Sequence, residues 1–260
     1  MRCFFALFVA SVILPRMEKD LVIPVSKKYS VYGRFSGPLN RPLVIVVHGL
    51  PCSIYEGLYE EACRWFAAKG YATYRFNLYG WQKDARQLIN STLATHAEDL
   101  DAVVAYFRKL GVKKIFVAGH SFGGPTILLS PKQDFDGVAL WDPSYDISFT
   151  KKKFGFAGGK YIPSLKGYFM RWGPNVIIGK KMADEVDGLD WPKLTREFHV
   201  PLNILVAGKG VLLEGAKSYI ENANEPKELT VVKGATHYFD DTPKMREGLY
   251  ALTKEWFDRF

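Results

Sequence analysis

The sequence predicts an α/β protein with a mostly parallel central sheet and helices on both of its faces, and three observations predict it. Short apolar runs recur along the chain with segments of helical spacing between them. The runs are rich in β-branched residues and nearly continuous in apolar character, as strands covered on both faces must be. The intervening segments are long enough to be crossover helices, which strands pairing in parallel require. A chain of 260 residues, 48% apolar and 24% charged, has the composition of an ordinary globular protein with one large core or two modest domains.

Taken in order, "LVIPVS" (21–26) and "YSVYGRF" (29–35) alternate and predict an antiparallel edge hairpin. "LVIVVHG" (43–49), "YATYRFN" (71–77), "KIFVAGH" (114–120), "GVALWD" (137–142), "LNILVAG" (202–208) and "LTVVKGA" (229–235) predict the sheet's other strands. Helices are predicted over "YEGLYEEACRWFAAKG" (55–70) and "THAEDLDAVVAYFRKLG" (95–111). In the second, Leu100, Val103, Val104, Phe107 and Leu110 form one apolar stripe, Thr95 with Glu98 offers a capping box, and Gly111 a stop. "VLLEGAKSYI" (211–220) begins another helix, and Thr242-Pro243 announces a last one that runs toward Phe260. One interval is far longer than a crossover needs. Residues 143–200, rich in aromatics such as Phe149, Phe154 and Trp172, are predicted to be a helical cap insertion over the strands' carboxyl ends. Residues 17–142 and 201–260 then form the core.

Several function classes are disfavoured. The chain carries 35 basic and 27 acidic residues, a formal charge of +8, but its lysines are scattered and no nucleic-acid recognition motif is present. The three cysteines, Cys3, Cys52 and Cys63, have no metal-ligand spacing, and the five histidines form no HExxH pair, so neither a metal nor another cofactor is expected. Residues 1–16, an arginine followed by an apolar run too short to span a bilayer, have three readings: a signal-like or exported leader, a weak membrane anchor, or a stretch upstream of a true start at Met17. A cytoplasmic protein without strong membrane association is the favoured expectation.

The chemistry begins at "VAGHSFGGPT" (117–126), where a strand turns sharply into a helix. Gly119 and Gly123 remove side chains that would collide at such a turn, so Ser121 projects above the sheet's carboxyl edge, where the following helix favours developing negative charge. A glycine-rich helix start with an incidental serine is the plainer alternative, and a phosphate loop is a poor one because no Gly-Lys-Ser/Thr follows. A serine hydroxyl needs a base, and His237 in "VVKGATHYFDD" (231–241) follows the last strand, where that base belongs. Acyl transfer also needs oxyanion donors. The amide of Phe122, next to the nucleophile, and that of Leu50, after the turn at His48-Gly49, are placed for this; His48 itself suits a structural hydrogen bond.

Together "HGLP" (48–51), "GHSFGG" (119–124) and "GATHYF" (234–239) resemble the α/β-hydrolase superfamily, in its order and spacing, over residues 21–260. The resemblance implies the α/β-hydrolase fold, a Ser-His-acid triad and a serine carboxylesterase-like activity on a small-molecule acyl substrate, with thioesterase, lactonase or aminopeptidase activity as alternatives. The "HGLP" turn is also similar to that of epoxide hydrolases and dehalogenases, but those carry an aspartate nucleophile where this chain has Ser121. The acid departs from the family pattern. Its usual place, in "VAGKGVLLEGAK" (206–217), holds Val211. Asp142, ending "GVALWD", is the favoured replacement, although an aspartate before a proline often only caps a loop; Glu214 is the alternative acid. The missing acid also keeps open a non-catalytic hydrolase-like binding protein.

Overall fold

The structure, a computed structural model, describes residues 18–153, 158–172 and 174–260. The segment 1–16 and Phe154 therefore lie outside the described residues. The chain begins with the predicted hairpin, β1 (Lys19–Pro24) and β2 (Ser30–Ser36), paired antiparallel. Strands β3 (Leu43–Val47), β4 (Ala72–Phe76), β5 (Ile115–His120), β6 (Gly137–Trp141), β10 (Leu202–Ala207) and β11 (Lys227–Val232) complete an eight-stranded sheet. Its order is β1-β2-β4-β3-β5-β6-β10-β11, with every pair parallel from β4 onward. The chain leaves β3 to one side to make β4 and returns past it to make β5. The carboxyl ends of β3 and β5 thus flank a topological switch point, where open α/β sheets bind ligands.

Each inner strand feeds two cores. In β3, Leu43, Ile45 and Val47 face one cluster, while Val44 and Val46 face the other. The first cluster is covered by α2 (Leu93–Lys109), α3 (Gly123–Leu128), α5 (Trp191–Arg196) and α6 (Leu213–Asn222), the second by α1 (Gly57–Ala68) and α7 (Met245–Phe257). Continuous apolar runs in sequence are the signature of this two-faced burial.

The helix boundaries differ from the sequence expectation in instructive ways. Helix α2 starts three residues before the predicted cap: Thr92 is the N-cap, its Oγ1 accepting from Thr95 N–H at 3.1 Å while Thr95 Oγ1 accepts from Thr92 N–H at 2.9 Å. Thr95 thus takes the partner's position in the box, and Glu98 has no part in it. Leu110, predicted in the apolar stripe, is 45% exposed, because the helix ends there and Gly111 turns the chain away at φ +87°. Helix α7 begins at Met245 rather than at Thr242-Pro243.

The insertion, residues 143–200, is mixed rather than helical. It holds a separate antiparallel sheet of β7 (Lys160–Ile162), β8 (Gly167–Arg171) and β9 (Asn175–Gly179), followed by α4 (Lys180–Asp187) and α5. The Glu185 carboxylate of α4 accepts from Leu93 N–H at 2.5 Å and Ala94 N–H at 2.9 Å. Those amides have no partner within their own helix, so the insertion is fastened to the core at the N-terminus of α2.

Candidate active site

Ser121 follows β5 directly and has φ 53°, in the left-handed region a side-chain-bearing residue avoids. The turn is held by backbone bonds: Ser121 N–H donates to Trp141 O and Gly124 N–H to Ser121 O, both at 3.0 Å. The strand and helix leave no space for side chains around it. A Cβ at Gly119 would lie 2.3 Å from Ile127 Cδ1, and one at Gly123 would lie 2.6 Å from Val47 O. Ser121 is 8% exposed, and its Oγ lies 3.4 Å from Ser144 Oγ.

The turn after β3 lies against this serine, since a Cβ on Gly49 would be 2.8 Å from Ser121 Cβ. His48, fully within the protein, braces the turn: its Nδ1–H donates to Gly49 O at 2.7 Å, and its Nε2 accepts from Leu78 N–H at 3.0 Å. Burial pushes its pKa down to about 4, so the ring is the neutral tautomer this pattern requires. The amides of Leu50 and Phe122 donate to no group among the described residues. Leu50 precedes a cis bond to Pro51.

His237, on the loop after β11, pairs with Asp142, its Nδ1 lying 2.6 Å from Oδ2. Asp142 is 1% exposed and has φ 44°, a conformation aspartate tolerates better than most residues. Its second oxygen accepts from Ala207 N–H at 2.9 Å, which fixes the carboxylate against β10. The vacant place in the family pattern adjoins it, since a Cβ at Gly210 would lie 3.5 Å from Asp142 Oδ2. Because β6 and β10 are neighbours, a carboxylate on either strand's carboxyl end reaches the same space. Glu214, by contrast, sits in the first turn of α6 and pairs with Lys217 at 2.8 Å, with its side chain 77% exposed. The structure does not bring it to His237, and Val211 is exposed.

Two residues of the site were not singled out from sequence. Ser144 lies beside Ser121, and its signal was only its position two residues past Asp142. Tyr59 of α1 joins the two loops: Gly49 N–H donates to its hydroxyl oxygen at 3.0 Å, and its O–H donates to His120 Nδ1 at 2.9 Å. His120 Nε2–H then donates to His237 O at 2.8 Å. Burial first, and then the neighbouring His237, hold the His120 pKa well below its ordinary value, so it stays neutral. A helical tyrosine on an apolar face gave no sequence signal for such a link.

A cleft of about 890 Å³ opens where Pro51 continues the turn after β3, between residues 51–56, residues 77–89 and β9. The insertion's aromatic Phe149 is not part of it. Phe149 is wholly buried, 5.8 Å from the Phe122 ring and 5.3 Å from Trp172.

The chain belongs to the α/β-hydrolases of the serine aminopeptidase S33 family, whose model matches residues 39–187. That span includes Ser121 and Asp142 and ends before His237. It is therefore a hydrolase built on the α/β-hydrolase fold. No curated protein matches the chain. Among solved structures it is similar to Est1E from Butyrivibrio proteoclasticus with ferulic acid bound (TM-score 0.76, 19% identity, 92% of this chain and 98% of that one). It is also similar to a dienelactone hydrolase from Anabaena variabilis (TM-score 0.70, 14% identity, 95% and 99% covered). A third is the esterase domain of a Rhodothermus marinus protein (TM-score 0.69, 19% identity, 93% and 99% covered). At these identities the likeness is one of fold.

Proposed function

We propose that the protein is a serine carboxyl ester hydrolase working through an acyl-enzyme, with Ser121 as nucleophile, His237 as base and Asp142 as the acid. The Asp142–His237 pair at 2.6 Å is the observation that carries this reading. By accepting a hydrogen bond from Nδ1–H, the buried carboxylate holds the tautomer whose Nε2 is unprotonated and stabilises the imidazolium that forms when Nε2 accepts a proton. In the cycle the Ser121 hydroxyl exchanges its contact with Ser144 for Nε2 of His237. Oγ then attacks the acyl carbon as its proton passes to Nε2. The Leu50 and Phe122 amides bind the resulting oxyanion, and preorganised amides of this kind cost no reorganisation when charge develops. Collapse of the intermediate breaks the bond to the alcohol, which takes the proton from His237. Water, deprotonated by the same nitrogen, releases the acid and restores Ser121.

The esterase and dienelactone hydrolase neighbours favour an ester, while the family's description favours an amide as second substrate. The experiment is a panel of p-nitrophenyl esters, a lactone and an aminoacyl amide, measured on the protein and on Ser121→Ala. Turnover of the esters that falls at least about a thousandfold in Ser121→Ala supports the reading. Turnover that survives the substitution ends it, and turnover of the amide alone moves the assignment to aminopeptidase.

A further inference from the structure

Among the described residues, the chain's net charge of +8 does not extend into the lining of the cleft beside Pro51. Among the described residues that line it there is no lysine or arginine, and its ionisable carboxylates are Asp20 and Glu56. Nearby guanidinium groups are each paired: Arg34 with the lining carboxylate of Asp20 at 2.8 Å, Arg86 with Asp99 at 2.6 and 3.0 Å, and Arg75 with Glu18. An anionic group entering the cleft would leave water without gaining an unpaired cation from the described lining, and would face Glu56.

The walls suit a flat apolar group instead. Ile54, Tyr79, Val176 and Ile177 line the cleft, and Trp81 and Tyr55 stand in it at 94% and 66% exposure. Large aromatic side chains left in water at the mouth of a concave site offer surfaces on which a ring can stack. One wall is rigid before anything binds: Ile54 N–H donates to Asn77 Oδ1 at 3.1 Å, Arg75 Nε–H to Ile54 O at 2.9 Å, and Tyr79 O–H to Cys52 O at 2.8 Å. Such preorganisation lowers the ordering cost of binding. The volume, about 890 Å³, is within the range of small-molecule sites, and the lining includes Pro51, which follows Leu50 in the chain; Ser121 and His237 are not among the described lining residues.

We propose that this cleft holds the larger substituent of the substrate and selects an uncharged aromatic group, rejecting substituents that carry a carboxylate, sulfonate or phosphate. Its place in the reaction rests on the catalytic reading of Ser121; its ligand preference does not. The test is calorimetric titration of the intact protein with 2-naphthol and with 6-hydroxynaphthalene-2-sulfonate, which differ by one charged group. The naphthol binds at least about tenfold more tightly, and Trp81→Ala weakens it by about fivefold to tenfold, as loss of a stacking surface does. Gln87→Lys, which places a cation in the lining, tightens the sulfonate severalfold and leaves the naphthol unchanged. In a kinetic arm, Trp81→Ala lowers kcat/KM for 2-naphthyl acetate more than for ethyl acetate. Equal affinities for the two ligands, no binding of either, or indifference to Trp81→Ala would each overturn the proposal. Because the titrations involve no turnover, a failure of the Ser121 mechanism leaves their outcome intact and is recognised separately by fluorophosphonate labelling.

Discussion

At Asp142 a left-handed backbone, a buried carboxylate and two hydrogen bonds coincide. Asparagine tolerates the same backbone and can still accept from Ala207 N–H, but it then turns its NH₂ toward His237 Nδ1 and favours the wrong tautomer. Asp142→Asn should therefore keep the melting temperature within a few degrees and lower kcat by about a hundredfold or more, with Glu214→Gln nearly silent. Steady-state kinetics on both variants check this, and the opposite ranking would move the acid to Glu214. Tyr59→Phe strips the Gly49 amide and His120 Nδ1 of their shared partner. It should lower kcat about tenfold while KM stays within about twofold, because the link orients loops without reaching substrate; a pure KM effect would contradict that role. Which carboxylate pairs with His237 was legible from sequence only as a choice between Asp142 and Glu214, since the neighbourhood of β6 and β10 is a property of strand order rather than of local pattern. The tight turn at Ser121 and the place of His237 after the last strand were legible because the turn's glycines and the chain order are local signals.

The insertion is the element where sequence and structure part most. A helical cap is the sequence expectation, yet β7, β8 and β9 form a sheet of their own and Phe149 is core. Short strands of three to five residues give too little period to separate from turns or helix. The parallel strands of the main sheet were legible because burial on both faces writes a continuous apolar run. Phe149 packs on Phe122, whose amide is a proposed oxyanion donor. Phe149→Ala should thus destabilise by about 3–5 kcal/mol and lower turnover on all esters alike. Denaturant melts with kinetics on short and long esters decide it: a changed preference among esters at unchanged stability would show that Phe149 contacts the substrate instead.

Over the whole molecule, His48, His96 and His120 are all buried, and burial lowers each pKa, to about 4 for His48, about 3 for His96 and well below the ordinary value for His120. The unfolded chain binds these protons near pH 6.5 and the folded chain does not, so stability is full above that pH and falls as pH drops toward 4. Each histidine contributes a slope of up to about 1.4 kcal/mol per pH unit in that window. Urea midpoints at pH 7 and pH 5 measure the loss, and His96→Leu should reduce its slope; equal midpoints would contradict the buried neutral rings. All of these arrangements serve one claim, that the fold presents Ser121 as an activated nucleophile. Labelling with a fluorophosphonate, followed by peptide mass mapping, tests it most directly. One adduct per chain is expected, on Ser121, formed rapidly at pH 8, slowed strongly by Asp142→Asn and absent in Ser121→Ala. An unlabelled protein, or an adduct on any other residue, would contradict it.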